Sequence, residues 1–260
     1  MTNRTEPDDW QNVILLGASN LTLGWVPLLK SLQTTVPGPL DVRASLGMGR
    51  SYVDWSGFWL RRLPGIIDCG LWKNLPTSGS KPPLILVTDV GNDIVYQHSP
   101  ERILKATTEC IQRLRDWRPD AKIVMTGLPI DSVKSVGPVR FVIARSVLFP
   151  GCRMPFSEIL ARSESLEQSA QQFAQQNNIP YLIPQAEWYR TDPIHVIKPL
   201  RESVFQQFFS HWNVHKPVSD ANQKLPRASL PVSALRTVCG FQRTAQQPAF
   251  DSKELRVSAW

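Results

Sequence analysis

The stretch VILLGASNLTLGW, residues 13–25, places a serine between a buried strand and a helix. Its first four residues are all apolar, which is typical of a strand that is covered on both faces. Gly17-Ala18-Ser19-Asn20 ends that strand, and apolar residues then resume at mixed spacing from Leu21 onwards. Ser19 is therefore either a cap of the following helix or a nucleophile held at the rim of a sheet.

Apolar strands alternate with helical patterns as far as residue 212. Strands that alternate with helices and read as continuous apolar runs predict a parallel sheet with helices on both faces. We therefore expect an α/β protein, a three-layer α/β/α sandwich around a central, mostly parallel, five-stranded sheet. After the first strand, the sequence predicts strands at 40–45, 83–90, 121–128 and 179–183, and helices near 21–35, 99–117, 157–173 and 197–212.

Length and composition are those of a soluble globular protein. The 260 residues suit one large domain or one domain plus appendages, and 42% of them are hydrophobic and 20% charged. No apolar run approaches the roughly 20 residues that span a bilayer. The polar N-terminus, MTNRTEPDDW, has no apolar core, and the four cysteines form no Cys-x-x-Cys pair. We expect a cytoplasmic protein with reduced thiols and no membrane span.

The positive charge is concentrated near the C-terminus. Residues 216–260 hold seven Lys/Arg and three Asp/Glu, a net of +4, which leaves +3 of the total +7 for the first 215 residues. Dense basic clusters with interleaved aromatic residues, the pattern of nucleic-acid binding, do not occur. Nucleic acid is therefore not expected as a partner.

The pattern divides the chain into three parts. Residues 1–11 are predicted to be an N-terminal extension and residues 12–216 the α/β domain. From Pro217 the apolar periodicity breaks up, so 217–260 is predicted to be a flexible or loosely docked basic tail. Within the domain, residues 129–156 hold four prolines and three arginines, which suits a lid or binding loop.

The stretch DWSGFWLRR, residues 54–62, is rich in aromatic residues. Trp55, Phe58 and Trp59 stand at helical spacing, which favours a helix that packs an apolar stripe on the sheet. The alternative is an aromatic wall for an acyl chain or a sugar ring near a binding site.

Three further segments at predicted strand ends carry residues suited to catalysis: SLGMGRSY (45–52), TDVGNDIVY (88–96) and RTDPIHVIKP (190–199). In parallel sheets, ligands bind at the carboxyl ends of the strands. If Ser19 is a nucleophile, His195 is a candidate base, and Asp192 is placed to orient its imidazole. The candidate donors to an oxyanion are the backbone N–H groups of Ser19 and of Gly47 or Gly49, and the side-chain amide of Asn92.

The order of these elements resembles the SGNH (GDSL-like) hydrolase superfamily, over roughly residues 12–212. The resemblance implies a flavodoxin-like SGNH hydrolase fold, with Ser19 as nucleophile, Asn92 and one glycine as oxyanion donors, and Asp192 and His195 completing a triad. Two motifs depart from the family pattern. The usual Gly-Asp-Ser is Gly17-Ala18-Ser19 here, and the usual Gly-x-Asn-Asp is Val90-Gly91-Asn92-Asp93, with its glycine displaced by one position.

The resemblance implies a serine hydrolase that cleaves a carboxylic ester, of a small molecule or a sugar O-acyl group, through an acyl-enzyme. It implies no metal and no organic cofactor. Two alternatives stay open: an acyltransferase that uses the same triad, and a catalytically silent binding protein that has kept the fold. The acyl group, the leaving group and the oligomeric state are not determined by these motifs.

Overall fold

A computed structural model of the chain describes residues 10–77, 79–135, 137, 149, 151–214 and 228–260. The strands are β1 (Gln11–Leu16), β2 (Leu40–Ser45), β3 (Ser56–Phe58), β4 (Arg61–Leu63), β5 (Leu84–Val87), β6 (Lys122–Thr126), β7 (Tyr181–Leu182), β8 (Leu235–Val238), β9 (Phe241–Thr244), β10 (Phe250–Asp251) and β11 (Leu255–Ala259). The α-helices are α1 (Ser19–Leu23), α2 (Trp25–Thr35), α3 (Pro100–Trp117), α4 (Phe156–Gln176) and α5 (Arg201–Ser210).

The central sheet confirms the predicted α/β sandwich. Its order is β10-β11-β2-β1-β5-β6-β7, and all neighbours are parallel except β10 and β11. Alternate residues of β1 point to opposite faces. Val13 and Leu15 pack with α2 and α5 on one face, whereas Ile14 and Leu16 pack with α3 and α4 on the other. Both faces are therefore covered, as the apolar strands predicted.

The helix predicted near 21–35 is interrupted at Gly24, which separates α1 from α2. A Cβ at this position would lie 2.5 Å from the Phe205 ring of α5. The glycine thus allows α5 to approach the backbone closely. Ser99 is the N-cap of α3, and its side chain accepts a hydrogen bond from the Arg102 N–H.

The loosely docked tail predicted for 217–260 is wrong for residues 228–260, and the sheet has seven strands rather than five. Strand β11 pairs in parallel with β2, and Leu255 and Val257 are fully buried. Strands β8 and β9 join β3 and β4 in a second, antiparallel sheet. Buried Leu255, Val257 and Ala259 alternate with Arg256 and Ser258 along β11, so this strand shows no continuous apolar run. Residues 217–227 lie outside the described ranges.

The helix predicted for 54–62 is also wrong. This segment contains the β3–β4 hairpin, in which Trp59 occupies the turn with a φ of 56°. Strand β4 pairs with β8, a distant partner that local spacing does not reveal. In the predicted lid or binding loop, 130–135 is helical and Cys152 and Met154 are buried, while 136, 138–148 and 150 lie outside the described residues. Among described helices, none is long and apolar enough to cross a membrane.

Candidate active site

The residues that the sequence singled out lie at or near the carboxyl edge of the central sheet. Ser19 begins α1 just after β1, and Gly47 and Gly49 follow β2. Asn92 lies in a 3₁₀-helix, Val90–Tyr96, that follows β5. Because β2, β1 and β5 are neighbours in the sheet, these strand ends lie side by side. Asp192 and His195 come from the segment between β7 and α5.

Ser19 does not cap the following helix. The N-cap is Ala18, and no side chain caps the first turn of α1. The Ser19 side chain is buried, and within the described ranges neither its hydroxyl nor its backbone N–H forms a hydrogen bond. A hydroxyl that stabilises neither the helix nor a described neighbour is available for chemistry.

The turn that carries Ser19 is held by Asp89. One carboxylate oxygen, Asp89 Oδ2, accepts hydrogen bonds from the N–H groups of Ala18 at 2.8 Å and Asn20 at 3.0 Å. The two residues that flank Ser19 are therefore bound to the same oxygen atom. Asp89 itself has a left-handed φ of 59°, a conformation that aspartate adopts more readily than most residues. Asp89 thus supplies a carboxylate beside the serine turn, where Ala18 replaces the usual acidic residue.

The Asn20 side chain ties the Ser19 turn to the segment that carries His195. Its Nδ2 donates to Asp89 Oδ1 at 2.8 Å and to the Ile194 carbonyl oxygen at 2.9 Å. Its Oδ1 accepts from the Val196 N–H at 3.0 Å. The residue after Ser19 is therefore bonded to both neighbours of His195, which brings the two turns together.

Asp192 and His195 form a close pair. His195 Nδ1 and Asp192 Oδ2 are 2.6 Å apart, and Asp192 Oδ1 accepts from the N–H groups of Ile194 and His195 at 3.2 and 3.3 Å. Burial alone would raise the pKa of Asp192, but the hydrogen bonds and the His195 charge outweigh it, so this pKa is lowered. The other ring nitrogen, Nε2, is buried and has no hydrogen-bond partner in the described part of the chain.

The candidate oxyanion donors also lack partners. Asn92 Nδ2 is buried without an acceptor among the residues that the structure describes. The N–H groups of Gly47 and Gly49 likewise donate to none of them. A Cβ on Gly47 would lie 2.3 Å from Leu63 Cδ1, whereas Gly49 has a left-handed φ of 64°. Each position thus requires glycine, for a different reason.

Neither a protein-family model nor a curated protein matches the chain. Solved structures do match it. A putative arylesterase from Agrobacterium tumefaciens is 13% identical with a TM-score of 0.50, over 77% of this chain and 97% of that one. The chain has the SGNH hydrolase fold. An aryl esterase from M. smegmatis also matches, with 13% identity and a TM-score of 0.49 over 78% of this chain and 98% of that one. A GDSL-like lipase from Bacteroides thetaiotaomicron matches with 14% identity and a TM-score of 0.46 over 77% of this chain and 88% of that one.

In this SGNH hydrolase fold, Asp93 braces the segment that carries Asn92. The buried carboxylate accepts hydrogen bonds from the Ser51 hydroxyl and from the N–H groups of Tyr52 at 2.8 Å and Val53 at 3.3 Å. Burial raises its pKa to about 6, and these hydrogen bonds limit the rise. Asp93 therefore links the 3₁₀-helix to the chain that follows Gly47 and Gly49.

A cavity of about 330 Å³ adjoins the candidate residues. Asn20, Asn92 and Asp192 contribute to its polar side. Ser19 and His195 are not part of the lining, but they directly adjoin two residues that are, Asn20 and Ile194. The cavity can therefore hold the apolar part of a ligand whose reacting group lies over the serine turn. Its apolar side includes Ile94, Leu128, Phe149, Ile159 and Phe205.

Proposed function

We propose that the chain is a serine esterase that cleaves a carboxylic ester through an acyl-enzyme on Ser19. The observation that carries this proposal is the His195 ring, whose Nδ1 is held by Asp192 at 2.6 Å while its buried Nε2 has no partner among the described residues. A buried ring nitrogen without a partner is costly in free energy. The residue next to Ser19, Asn20, is hydrogen-bonded to both neighbours of His195, which supports His195 as the general base.

The reaction proceeds in two halves. The Ser19 hydroxyl oxygen attacks the ester carbonyl carbon while His195 Nε2 takes the hydroxyl proton. The tetrahedral intermediate collapses, the alcohol leaves with the proton from His195, and the acyl group remains on Ser19. Water then attacks the acyl-enzyme with His195 again as base, which releases the carboxylic acid. Asp192 fixes the ring orientation and stabilises the imidazolium that forms in each half.

Negative charge develops on the carbonyl oxygen during each attack. We assign the Ser19 N–H, the Asn92 side-chain amide and one glycine N–H, of Gly47 or Gly49, as its donors. Their lack of partners in the described structure supports this assignment, because preorganised donors need not break other hydrogen bonds when the charge appears. Although the glycine of the Val90-Gly91-Asn92-Asp93 motif is displaced, the Asn92 amide has no competing acceptor among the described residues.

The cavity favours an ester with an apolar portion. Its lining is mostly aliphatic and aromatic, and about 330 Å³ accommodates a small acyl or aryl group. The substrate class is thus an ester of a small molecule, or a sugar O-acyl group whose acyl part enters the cavity. An arylesterase and a carbohydrate esterase are among the solved structures that match the chain, which agrees with this class.

The test is hydrolysis of p-nitrophenyl acetate by the full chain and by Ser19→Ala. We expect the variant to lose turnover while its thermal midpoint stays close to that of the wild type, because the Ser19 side chain makes no hydrogen bond to any described residue. Ser31→Ala is the matched control, since Ser31 is a buried helical serine that bonds only to backbone carbonyls, of Pro27 and Glu202. Turnover retained by Ser19→Ala would overturn the proposal. Added alcohols that divert the acyl group at the expense of hydrolysis would identify an acyltransferase.

A further inference from the structure

The second sheet ends in an exposed apolar surface. Hairpins β3–β4 and β8–β9 lie side by side, and the Cys239 N–H donates to the Leu60 carbonyl oxygen at 2.9 Å. Trp59, Leu60 and Phe241, at or next to the two turns, are 85%, 68% and 66% exposed. We call these three residues the apolar tip. Large apolar side chains clustered in water mark an interaction surface rather than a stable monomer face.

Four arginines surround the apolar tip: Arg61, Arg62, Arg236 and Arg243. We call them the basic collar. Residues 56–63 and 235–244, which make up both hairpins, contain these arginines and no Asp or Glu. No collar arginine forms an ion pair with a carboxylate in the described parts of the chain. The collar therefore carries positive charge that no described carboxylate neutralises by an ion pair.

The strand register places much of this charge on one face. Arg236 lies opposite Arg243, and Arg61 lies opposite Val238, so Arg61, Arg236 and Arg243 share a face with Phe241. Arg243 also lies over the Phe241 ring, 5.9 Å from its centre. Burial, and then the nearby positive charge of Arg236, lower the pKa of Arg61. Such crowding of like charges is relieved by an anionic partner.

We propose that the apolar tip and basic collar bind the surface of a bilayer that contains anionic lipids. Tryptophan and phenylalanine at hairpin turns can enter the interfacial layer, while arginines just behind them reach the phosphate groups. Each cation near an anionic surface strengthens the attraction. The apolar residues project from two adjacent turns, a convex shape that suits insertion into lipid better than stacking of nucleic-acid bases on a flat sheet.

The surface also lies beside the candidate oxyanion turn. Arg61 Nη2 donates to the Met48 carbonyl oxygen at 3.2 Å, between Gly47 and Gly49, and Leu63 packs against Gly47. Membrane docking would therefore bring this turn close to the lipid surface. This last consequence rests on the proposed esterase function, whereas the docking itself does not.

A fluorophore on Cys239 tests the docking directly. Cys239 is exposed in the turn between β8 and β9, whereas Cys69, Cys110 and Cys152 are buried, so an environment-sensitive maleimide dye should label Cys239 alone. We expect its emission to shift to the blue and brighten with vesicles of phosphatidylcholine and phosphatidylglycerol. The control carries the dye at Val26→Cys in a Cys239→Ser background, because Val26 is 65% exposed on α2. Its emission should not change.

Vesicle co-sedimentation measures the two contributions separately. Trp59→Ser with Phe241→Ser should weaken binding by about tenfold or more. Arg62→Gln and Arg243→Gln should each weaken it by about fivefold, with a smaller salt dependence. Val26→Ser and Lys105→Gln are the matched controls.

An unchanged dye signal with anionic vesicles, equal binding to pure phosphatidylcholine, or a dye shift that needs only concentrated protein would each overturn the proposal. These assays involve no ester, so their failure would leave the proposed esterase function untouched.

Discussion

The carboxyl edge of the central sheet and the apolar tip of the second sheet depart in opposite ways from the usual burial of apolar side chains and exposure of polar ones. At the sheet edge, polar atoms of His195 and Asn92 are buried without partners among the described residues. At the tip, Trp59 and Phe241 expose large apolar surfaces to water. Natural proteins tolerate such local violations mainly where function requires them. This difference agrees with the two proposals, a polar transition state at the sheet edge and an anionic membrane surface at the tip.

The two regions also differ in how they are held. The sheet edge is fixed by a network in which Asp89 and Asn20 join three separate segments of the chain. The tip projects from short strands, and β9 is exposed along its whole length. Substitutions at the edge should therefore affect catalysis, and substitutions at the tip should affect binding only.

The largest expected effect is at His195. His195→Ala should lower kcat/KM for an activated ester by about a thousandfold, because the general base and the leaving-group acid are both lost. Its thermal midpoint should fall modestly, because the hydrogen bond between Nδ1 and Asp192 is lost, whereas Nε2 has no partner to lose among the described residues. His211→Ala is the control, as His211 is exposed at the C-terminal end of α5. Steady-state kinetics that show equal activity for both variants would contradict the assignment.

Strand β11 follows the strands of the second sheet in the chain but belongs to the central sheet. A substitution in β11 therefore tests whether this C-terminal segment is part of the folded core. Leu255→Ala removes a fully buried side chain and should lower the free energy of unfolding by about 2–5 kcal/mol. Leu230→Ala, at a position that is largely exposed, should have a much smaller effect. Urea unfolding of both variants measures this. Equal stabilities would show that β11 is not part of the folded core.

Asn20 tests whether the network at the sheet edge positions the catalytic pair. Asn20→Ala removes the hydrogen bonds to Ile194 and Val196 and should lower kcat by about 10–100-fold, because small misplacements of reacting groups are costly. KM should change less than kcat. Asn74→Ala is the matched control, since Asn74 makes a local bond to the Gly70 carbonyl on an exposed surface. A variant that loses stability but keeps the wild-type kcat would show a purely structural role.

Asp93 provides a smaller, pH-dependent effect. Burial raises its pKa to about 6 in the folded state, whereas the unfolded chain releases the proton near its ordinary value of about 4. Between these values the folded state binds more protons, so this group makes the free energy of unfolding rise as the pH falls. The contribution is about 1–3 kcal/mol. Urea unfolding at several pH values should show it in the wild type and not in Asp93→Asn; identical pH dependence in both proteins would contradict it.

Much of the fold follows from local sequence. Strands β1, β5 and β6 are nearly fully buried and contain apolar runs, which is why their positions were predictable. Strand β11 and the β3–β4 hairpin were not predictable, because each depends on pairing with a distant segment. The spacing of Trp55, Phe58 and Trp59 indicated a helix only because local periodicity ignores such partners.

In the candidate site, too, some residues could be predicted from local sequence and others depend on distant contacts. Ser19, Asn92, Asp192 and His195 were predictable as residues at strand ends. Asn20 and Asp89 were missed, although each lies next to or near a motif residue. Their role consists of contacts such as the one between Asn20 and Ile194, which are 174 positions apart. The one local signal was the residue type at position 89, since aspartate tolerates the left-handed backbone conformation that Asp89 adopts.

The central claim, that Ser19 is an activated nucleophile, is tested most directly by covalent labelling. The folded protein is treated with a fluorophosphonate, and the modified peptide is mapped by mass spectrometry, with His195→Ala treated in parallel. We predict one adduct, on Ser19, that forms much more slowly in His195→Ala. A folded wild-type protein that carries no adduct, or carries it on another serine such as Ser45 or Ser51, would contradict the claim.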